Sequence, residues 1–365
     1  MFCSLESKLI IATIVKGEVL KIMRRDTKVI SIGEKKIGGD FPIAIQSMTN
    51  VKNVDEIIKQ INELTDAGCE IVRCAVPDFE MAQNLKIIKR NIRIPLVADI
   101  HFDYRLAIES IKNGADKIRI NPGNIGDEQR VKEIIQTAKQ YKIPIRIGVN
   151  SGSLEKNILQ KYNGVTAQGL AESAINYVKL FNKYDFDDIV VSVKSSSVPL
   201  SIEANKILAQ NIYYPLHIGI TEAGIDTIKS SVGLGAILSM GIGNTIRVSL
   251  TDNPIKEIEC AKEILKALEL RKFGIEFVSC PTCARTKIDL IKIANEVKTR
   301  CKNIDKPIKV AIMGCAVNGP GEAKDADIGI AGGENTGLIF KNGVIMRKVR
   351  ESDLVDELIK EIYLL

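Results

Sequence analysis

"PLVADIHFDYRLAIESIKNGADKIRINPG", residues 95–123, sets two short β-rich runs on either side of one amphipathic run. In "PLVADIH" (95–101) and "DKIRINPG" (116–123) apolar residues cluster as in a buried strand. Between them apolar residues recur at the spacing of one helix face. The same unit repeats in both directions. "AIQSMT" and "IVRCAVP" precede it, and "PIRIGVN", "DIVVSVKS", "PLHIGITEAG" and "TIRVSLT" follow. Helical patterns such as "VDEIIKQINELTDAG" and "DEQRVKEIIQTAKQ" separate them, the first ending in Gly68, placed as a helix-terminating glycine. Eight successive units predict a (β/α)8 TIM-type barrel over residues 24–270. A doubly wound open sheet is the alternative, since periodicity does not prove closure; the count of eight favours the barrel.

After residue 270 the rhythm changes. A cysteine loop, "SCPTCARTKID" (279–289), precedes a helix expected near 286–300. "IKVAIMGCAVNGPGEA" follows, then "LIFKNGVIMRKV", a hairpin turning at Asn342-Gly343, and a last helix. Residues 271–365 are read as a separate α+β domain.

Composition narrows the function. Of 365 residues, 45% are hydrophobic and 26% charged, enough for a sizeable core. The net charge of +6 suits a small anionic substrate, but no concentrated basic run is present, and aromatics are only 5% with no Trp. Nucleic-acid binding is therefore not expected. The apolar run Leu9–Val15 is too short to cross a bilayer, and no cleavage site follows it. Residues 1–23 are read as an extension, with Met23 a second candidate start. Eight cysteines in a chain of this size do not make a disulfide scaffold, which points to a reducing, cytoplasmic setting.

Buried parallel strands should be apolar at their centres. Here Arg73, Asp99, Arg119, Arg146, Lys194 and Arg247 lie near strand ends. Residues two apart share a face, so Arg119 aligns with Asn121, Arg146 with Asn150, Arg247 with Ser249, and Asp99 with His101. In a barrel that face opens on the mouth, where this fold keeps its chemistry. Five buried cations with Asp99 and Glu222 as the acidic neighbours imply an anionic ligand, a diphosphate above all, gripped by guanidinium forks. Both histidines, His101 and His217, fall at strand ends. Glu222 directly follows one and is placed as a proton donor.

Cys280, Cys283 and Cys315 are the cysteines in Gly/Pro-rich loops. Zinc would want four N/S ligands, yet residues 271–365 hold no histidine. Cys301 is read on a helix surface. A simple dithiol would leave the Cys315 loop without a role. Three loop thiolates suit an iron–sulfur cluster with one iron held differently, and Glu322, past a Gly-Pro-Gly bend, is the candidate fourth ligand and site of exchange.

Together "ADIHFDYRLA", "RINPGNIG", "RIGVNSGSL", "HIGITEAG", "TIRVSL", "SCPTC" and "GCAVNGPGEAKDADIGIAGG" closely resemble the bacterial 4-hydroxy-3-methylbut-2-enyl diphosphate synthases of the non-mevalonate isoprenoid pathway. The resemblance runs from about residue 24 to the C-terminus. It implies a [4Fe-4S] cluster on Cys280, Cys283, Cys315 and Glu322. Diphosphate contacts are implied at Arg73, Arg119, Arg146, Asn150, Lys194, Arg247 and Ser249. The implied reaction is reductive ring opening of 2-C-methyl-D-erythritol 2,4-cyclodiphosphate, with flavodoxin or ferredoxin as electron donor. The chain departs from the family pattern at "TNVKNVD", "VKSSS", Asn244 and Ala284, none of them a named ligand. Rival readings are a pterin-binding barrel methyltransferase, which leaves the cysteine domain idle, a siroheme-type reductase, which normally uses four cysteines, and another cluster-dependent reductase of an anionic substrate. The eighth helix, near 254–268, returns the chain to the barrel floor, and the short "ELRKFG" linker cannot climb back. A homodimer is expected, each cluster domain serving its partner's barrel.

Overall fold

The structure, a computed structural model, describes residues 22–302, 304–316 and 323–365. The chain forms two compact units that part between Arg271 and Lys272.

In the first unit, an antiparallel pair, β1 (Ile30–Ile32) and β2 (Lys35–Ile37), precedes eight parallel strands. These are β3 (Ala44–Met48), β4 (Ile71–Ala75), β5 (Leu96–Asp99), β6 (Lys117–Ile120), β7 (Ile145–Asn150), β8 (Ile189–Lys194), β9 (His217–Ile218) and β10 (Thr245–Ile246). Each bonds to the next in chain order, β10 returns to β3, and a parallel bridge from Val191 to Leu216 joins β8 to the approach to β9. The ring leaves no place for the two edges of a doubly wound sheet. β9 and β10 are shorter than their sequence runs suggest, although Arg247 N–H still bonds to the Ile218 carbonyl.

Local chemistry sets the helices. Val54–Asp66 starts where the Asn53 side chain accepts from the N–H groups of Asp55 and Glu56, a cap contributing about 1 kcal/mol. It buries Ile57, Ile61 and Leu64, each stabilising by roughly 1.5–3 kcal/mol. It stops at Ala67 because Gly68, at φ 100°, takes the left-handed turn that reverses the chain.

Strand register orders the barrel interior. Following the pairs once round the ring returns to β3 about eight residues displaced, the stagger of a filled barrel whose alternate strands supply layers of four side chains. At the floor, Ile30, Ile32 and Ile37 of the β1–β2 hairpin pack on Ala44, Ile71, Val97 and Val190, closing the N-terminal end with apolar atoms. Above the floor the layers turn polar: Ile71, Lys117, Val190 and Thr245; then Gln46, Val97, Arg146 and His217; then Arg73, Arg119, Ser192 and Arg247.

The second unit is a five-stranded sheet in chain order: β11 (Glu276–Ser279), β12 (Lys309–Met313), β13 (Ile328–Gly333), β14 (Thr336–Lys341) and β15 (Val344–Arg350). The first three run parallel and the last two antiparallel. Asn342 and Gly343, both at positive φ, make the β14–β15 turn. Helices Leu290–Arg300 and Leu354–Leu364 cover one face of the sheet. The first begins four residues later than its pattern suggests, because Asp289 caps it through the Lys292 N–H. Cys301 is not on a helix surface: it caps that helix and lies buried among Ile275, Val297 and Val310. No helix among the described residues is long and apolar enough to cross a membrane.

Candidate active site

Six cations point into the barrel: Arg73, Lys117, Arg119, Arg146, Lys194 and Arg247. Lys117 and Arg146 are fully enclosed, and Arg119 and Lys194 nearly so. Among the described residues, two buried carboxylates reach this group. Asp99 stands 3.2 Å from Arg119 Nη1 and 3.6 Å from Arg73 Nε, and also meets His101 Nε2 at 3.2 Å. Burial works against its charge, but Arg73, the His101 hydrogen bond and Arg119 outweigh it and hold the carboxyl well below the usual range. Glu257, on helix Pro254–Ala267, stands 3.3 Å from Arg247 and accepts from Ser47 and the Leu250 N–H. The sequence analysis did not count Glu257, although its place on the apolar stripe with Pro254, Ala261 and Ile264 was a usable signal. It makes Arg247 a compensated cation.

The remaining cations are poorly matched. Arg146 donates to Gln46 at 3.4 Å, while its Nε has no partner among the described residues. Burial, with Arg73 and Arg119 close by, pushes its pKa well down. A guanidinium keeps its proton in proteins, so the penalty is carried as lost stability. Burial also lowers Arg73, to about 10, and Lys194 well below its ordinary value. Room for these chains comes from two glycines. A methyl group at Gly148 would lie 2.7 Å from Arg119 Nε, and one at Gly219 would lie 2.6 Å from Lys194 Nζ.

Around the mouth, Asn121 donates to Ser153 at 2.8 Å and caps Gly123, while Asn150 pairs with Lys194 across β7 and β8. Ser249 follows Arg247 beyond β10, and both are partly accessible. His101 is half exposed at the rim. Glu222 is exposed after β9 with φ 52°, a conformation a side chain of its size rarely adopts and one that often marks a functional loop. His217, read at a strand end, opens β9 and is fully buried mid-barrel, with Nδ1 2.8 Å from Thr245 Oγ1. Burial, with Arg146, Lys194 and Lys117 around it, keeps it neutral. Lys117 escaped the sequence reading, although its two-residue offset from Arg119 was a usable signal.

In the second unit, Cys280 and Cys283 follow β11 and Cys315 follows β12, its parallel neighbour. The Gly314 N–H donates to Cys280 Sγ at 3.2 Å, and the Lys287 N–H bonds to the Gly314 carbonyl, tying the two loops together. Cys283 is exposed, and backbone N–H groups of Arg285 and Thr286, with the Thr286 hydroxyl, lower its pKa toward the thiolate a metal requires. Burial instead raises Cys69 to about 12 and Cys74 to about 11, and also lifts Cys260 and Cys301. The donor set therefore fits a thiophilic metal centre. No three potential ligands are already grouped as a metal site among the described residues, and Glu322 lies outside them.

Two family descriptions match the chain: "GcpE TIM-barrel domain" over residues 27–262 and "GcpE protein C-terminal domain" over residues 276–363. A protein of Caldanaerobacter subterraneus subsp. tengcongensis, named 4-hydroxy-3-methylbut-2-en-1-yl diphosphate synthase (flavodoxin), is 59% identical over 93% of this chain and 97% of its own. A Fusobacterium nucleatum protein of the same name is 52% identical over 93% of this chain and 98% of its own. Among solved structures, the N-acetylneuraminic acid synthetase of Leptospira borgpetersenii superposes with a TM-score of 0.50 at 13% identity. It covers 77% of this chain and 100% of that one, a likeness of fold alone.

Proposed function

The chain belongs to the GcpE family, and from that premise we propose that it converts 2-C-methyl-D-erythritol 2,4-cyclodiphosphate to 4-hydroxy-3-methylbut-2-enyl diphosphate. The observation that carries this reading is the excess of interior cations over carboxylates at one open end of a closed barrel. Arg73, Arg119, Arg146 and Lys194 hold the diphosphate oxygens, with Arg247, Ser249 and Asn150 completing the grip. Asp99 fixes Arg119 and His101 at the rim. Ring opening takes up two electrons, and a hydroxyl leaves as water with a proton, for which we assign Glu222 and His101 as donors. Cys280, Cys283, Cys315 and Glu322 would hold a [4Fe-4S] cluster, which would supply the electrons, with flavodoxin or ferredoxin as their source in the cytoplasm.

The test is turnover of the cyclic diphosphate by anaerobically reconstituted protein with a strong reductant. Cys283→Ser should lose much of its iron and its activity. Glu322→Gln should keep iron on three thiolates, yet lose most activity and change the cluster's EPR signal. Full turnover with an unaltered signal in the Glu322 variant rules that residue out as ligand.

We also propose a homodimer whose two sites are each built from both chains. The supporting feature is where the barrel unit ends: Arg271, its last residue, donates to the Ile43 carbonyl just before β3, at the floor end. Mixing inactive Arg119→Ala chains with inactive Cys283→Ser chains under subunit exchange should restore activity, because one mixed site keeps an intact barrel and an intact cluster. Verified mixed dimers that stay inactive exclude sharing.

A further inference from the structure

Lys117 is the deepest of the interior cations among the described residues, and no carboxylate meets it. It lies in the first polar layer above the floor, two residues below Arg119 on the same face of β6. Its relative exposure is 0%, and Nζ has no hydrogen-bond partner among the described residues. The charged groups around it are one-sided. Arg73 comes from β4, Arg119 from its own strand and Arg146 from β7. Lys194 on β8 and Arg247 beyond β10 point into the same interior at higher layers. Asp99 on β5 is already engaged with Arg73, Arg119 and His101. His217 on β9 is neutral, and its free Nε2 is also enclosed. The facing groups from β3 and the start of β10, Gln46 and Thr245, carry no charge.

We propose that Lys117 stands as a neutral amine in the empty barrel and takes up a proton when a diphosphate enters above it, so that substrate binding is proton-coupled. The inference rests on the diphosphate reading of the barrel and extends it to a group that need not touch the ligand. A buried ammonium without a partner pays full desolvation plus repulsion from Arg146 and Arg73, and unlike a guanidinium an amine can shed its charge. Burial and those two arginines push Lys117 well below its ordinary pKa. A dianion among Arg73, Arg119 and Lys194 reverses the sign of the local field and favours the ammonium again. Lys194, two strands away on β8, is 7% exposed and is also pushed below its ordinary value by burial, so the comparison with the Lys117 variant decides which amine takes the proton.

The test is calorimetric titration of the anaerobic holoenzyme with sulfate, fully ionised near neutral pH, in two buffers of different ionisation enthalpy. Wild-type protein should take up as much as one proton more per sulfate than Lys117→Met, a swap of similar volume. Its affinity should also fall by up to tenfold per pH unit between the empty-barrel and complexed pKa of the amine, a slope the variant loses. Equal uptake in both proteins overturns the assignment and passes the proton to another group. If Lys117→Met does not fold, a pH-independent affinity in wild-type protein decides against the inference by itself. Absence of sulfate binding in wild-type protein would instead overturn the anion reading beneath it.

Discussion

Asp99→Asn should destabilise the ligand-free protein by about 3–5 kcal/mol, the cost of removing one partner from a buried ion pair. The variant leaves Arg73 and Arg119 facing each other with no interior carboxylate between them. Glu257 cannot substitute, because Arg247, Ser47 and the Leu250 N–H already engage it. A ligand anion can: sulfate or pyrophosphate at about 100 times its dissociation constant should return roughly 2.7 kcal/mol. The pH dependence has a defined sign. Asp99 is held below its unfolded value, so its contribution is complete above about pH 3.9 and is lost as pH falls toward the depressed folded value. Wild type and variant should therefore differ by a constant amount from about pH 5 to 8 and converge under stronger acid. Denaturant unfolding across that range measures both. A variant as stable as wild type without any anion would show that Asp99 does not hold the cations together.

Arg146→Met should do the opposite: raise stability and abolish tight binding. Among the described residues Arg146 has no carboxylate partner and one unsatisfied nitrogen, and it lies in a fully enclosed layer. Replacing such a charge with an apolar chain of similar length should stabilise the empty protein by about 1–4 kcal/mol. The loss of one charge-assisted contact should weaken diphosphate binding by about 1.5–3 kcal/mol, roughly 10- to 150-fold. Thermal unfolding without ligand and a pyrophosphate titration report the two halves separately. A drop in stability, or unchanged affinity, sinks the assignment. The sequence treats Arg119 and Arg146 alike, but the structure separates them, because Arg119 has Asp99 and Arg146 has an amide.

That difference marks the limit of what strand patterns convey. The eight units, Gly68 as a helix stop and the Asn342-Gly343 turn were legible because each is a local preference of a few residues. Alternation along one strand was enough to put Arg119 with Asn121 and Arg146 with Asn150 on the inner face. Depth was not legible. His217 sits mid-barrel and Lys117 one layer below it because pairings between distant strands set their height, and no single run records that stagger. Glu257 sits on the buried stripe of its helix, but nothing local names Arg247 as its partner, and Cys301 is buried by a sheet formed elsewhere in the chain. In each case the missing information is which partner arrives, not which element forms.

The isoleucine hairpin under the barrel has a kinetic consequence. With Ile30, Ile32 and Ile37 sealed against Ala44, Ile71, Val97 and Val190, the interior is a blind well with one opening. Ligand, displaced water and protons must use the same exit. A ligand seated at the rim therefore stoppers whatever lies beneath it, and a deep proton can leave only after the ligand does. Release becomes an ordered event, anion first and proton second. Off-rates should then respond to the chemistry at the rim and stay indifferent to how readily the bulk solvent accepts a proton.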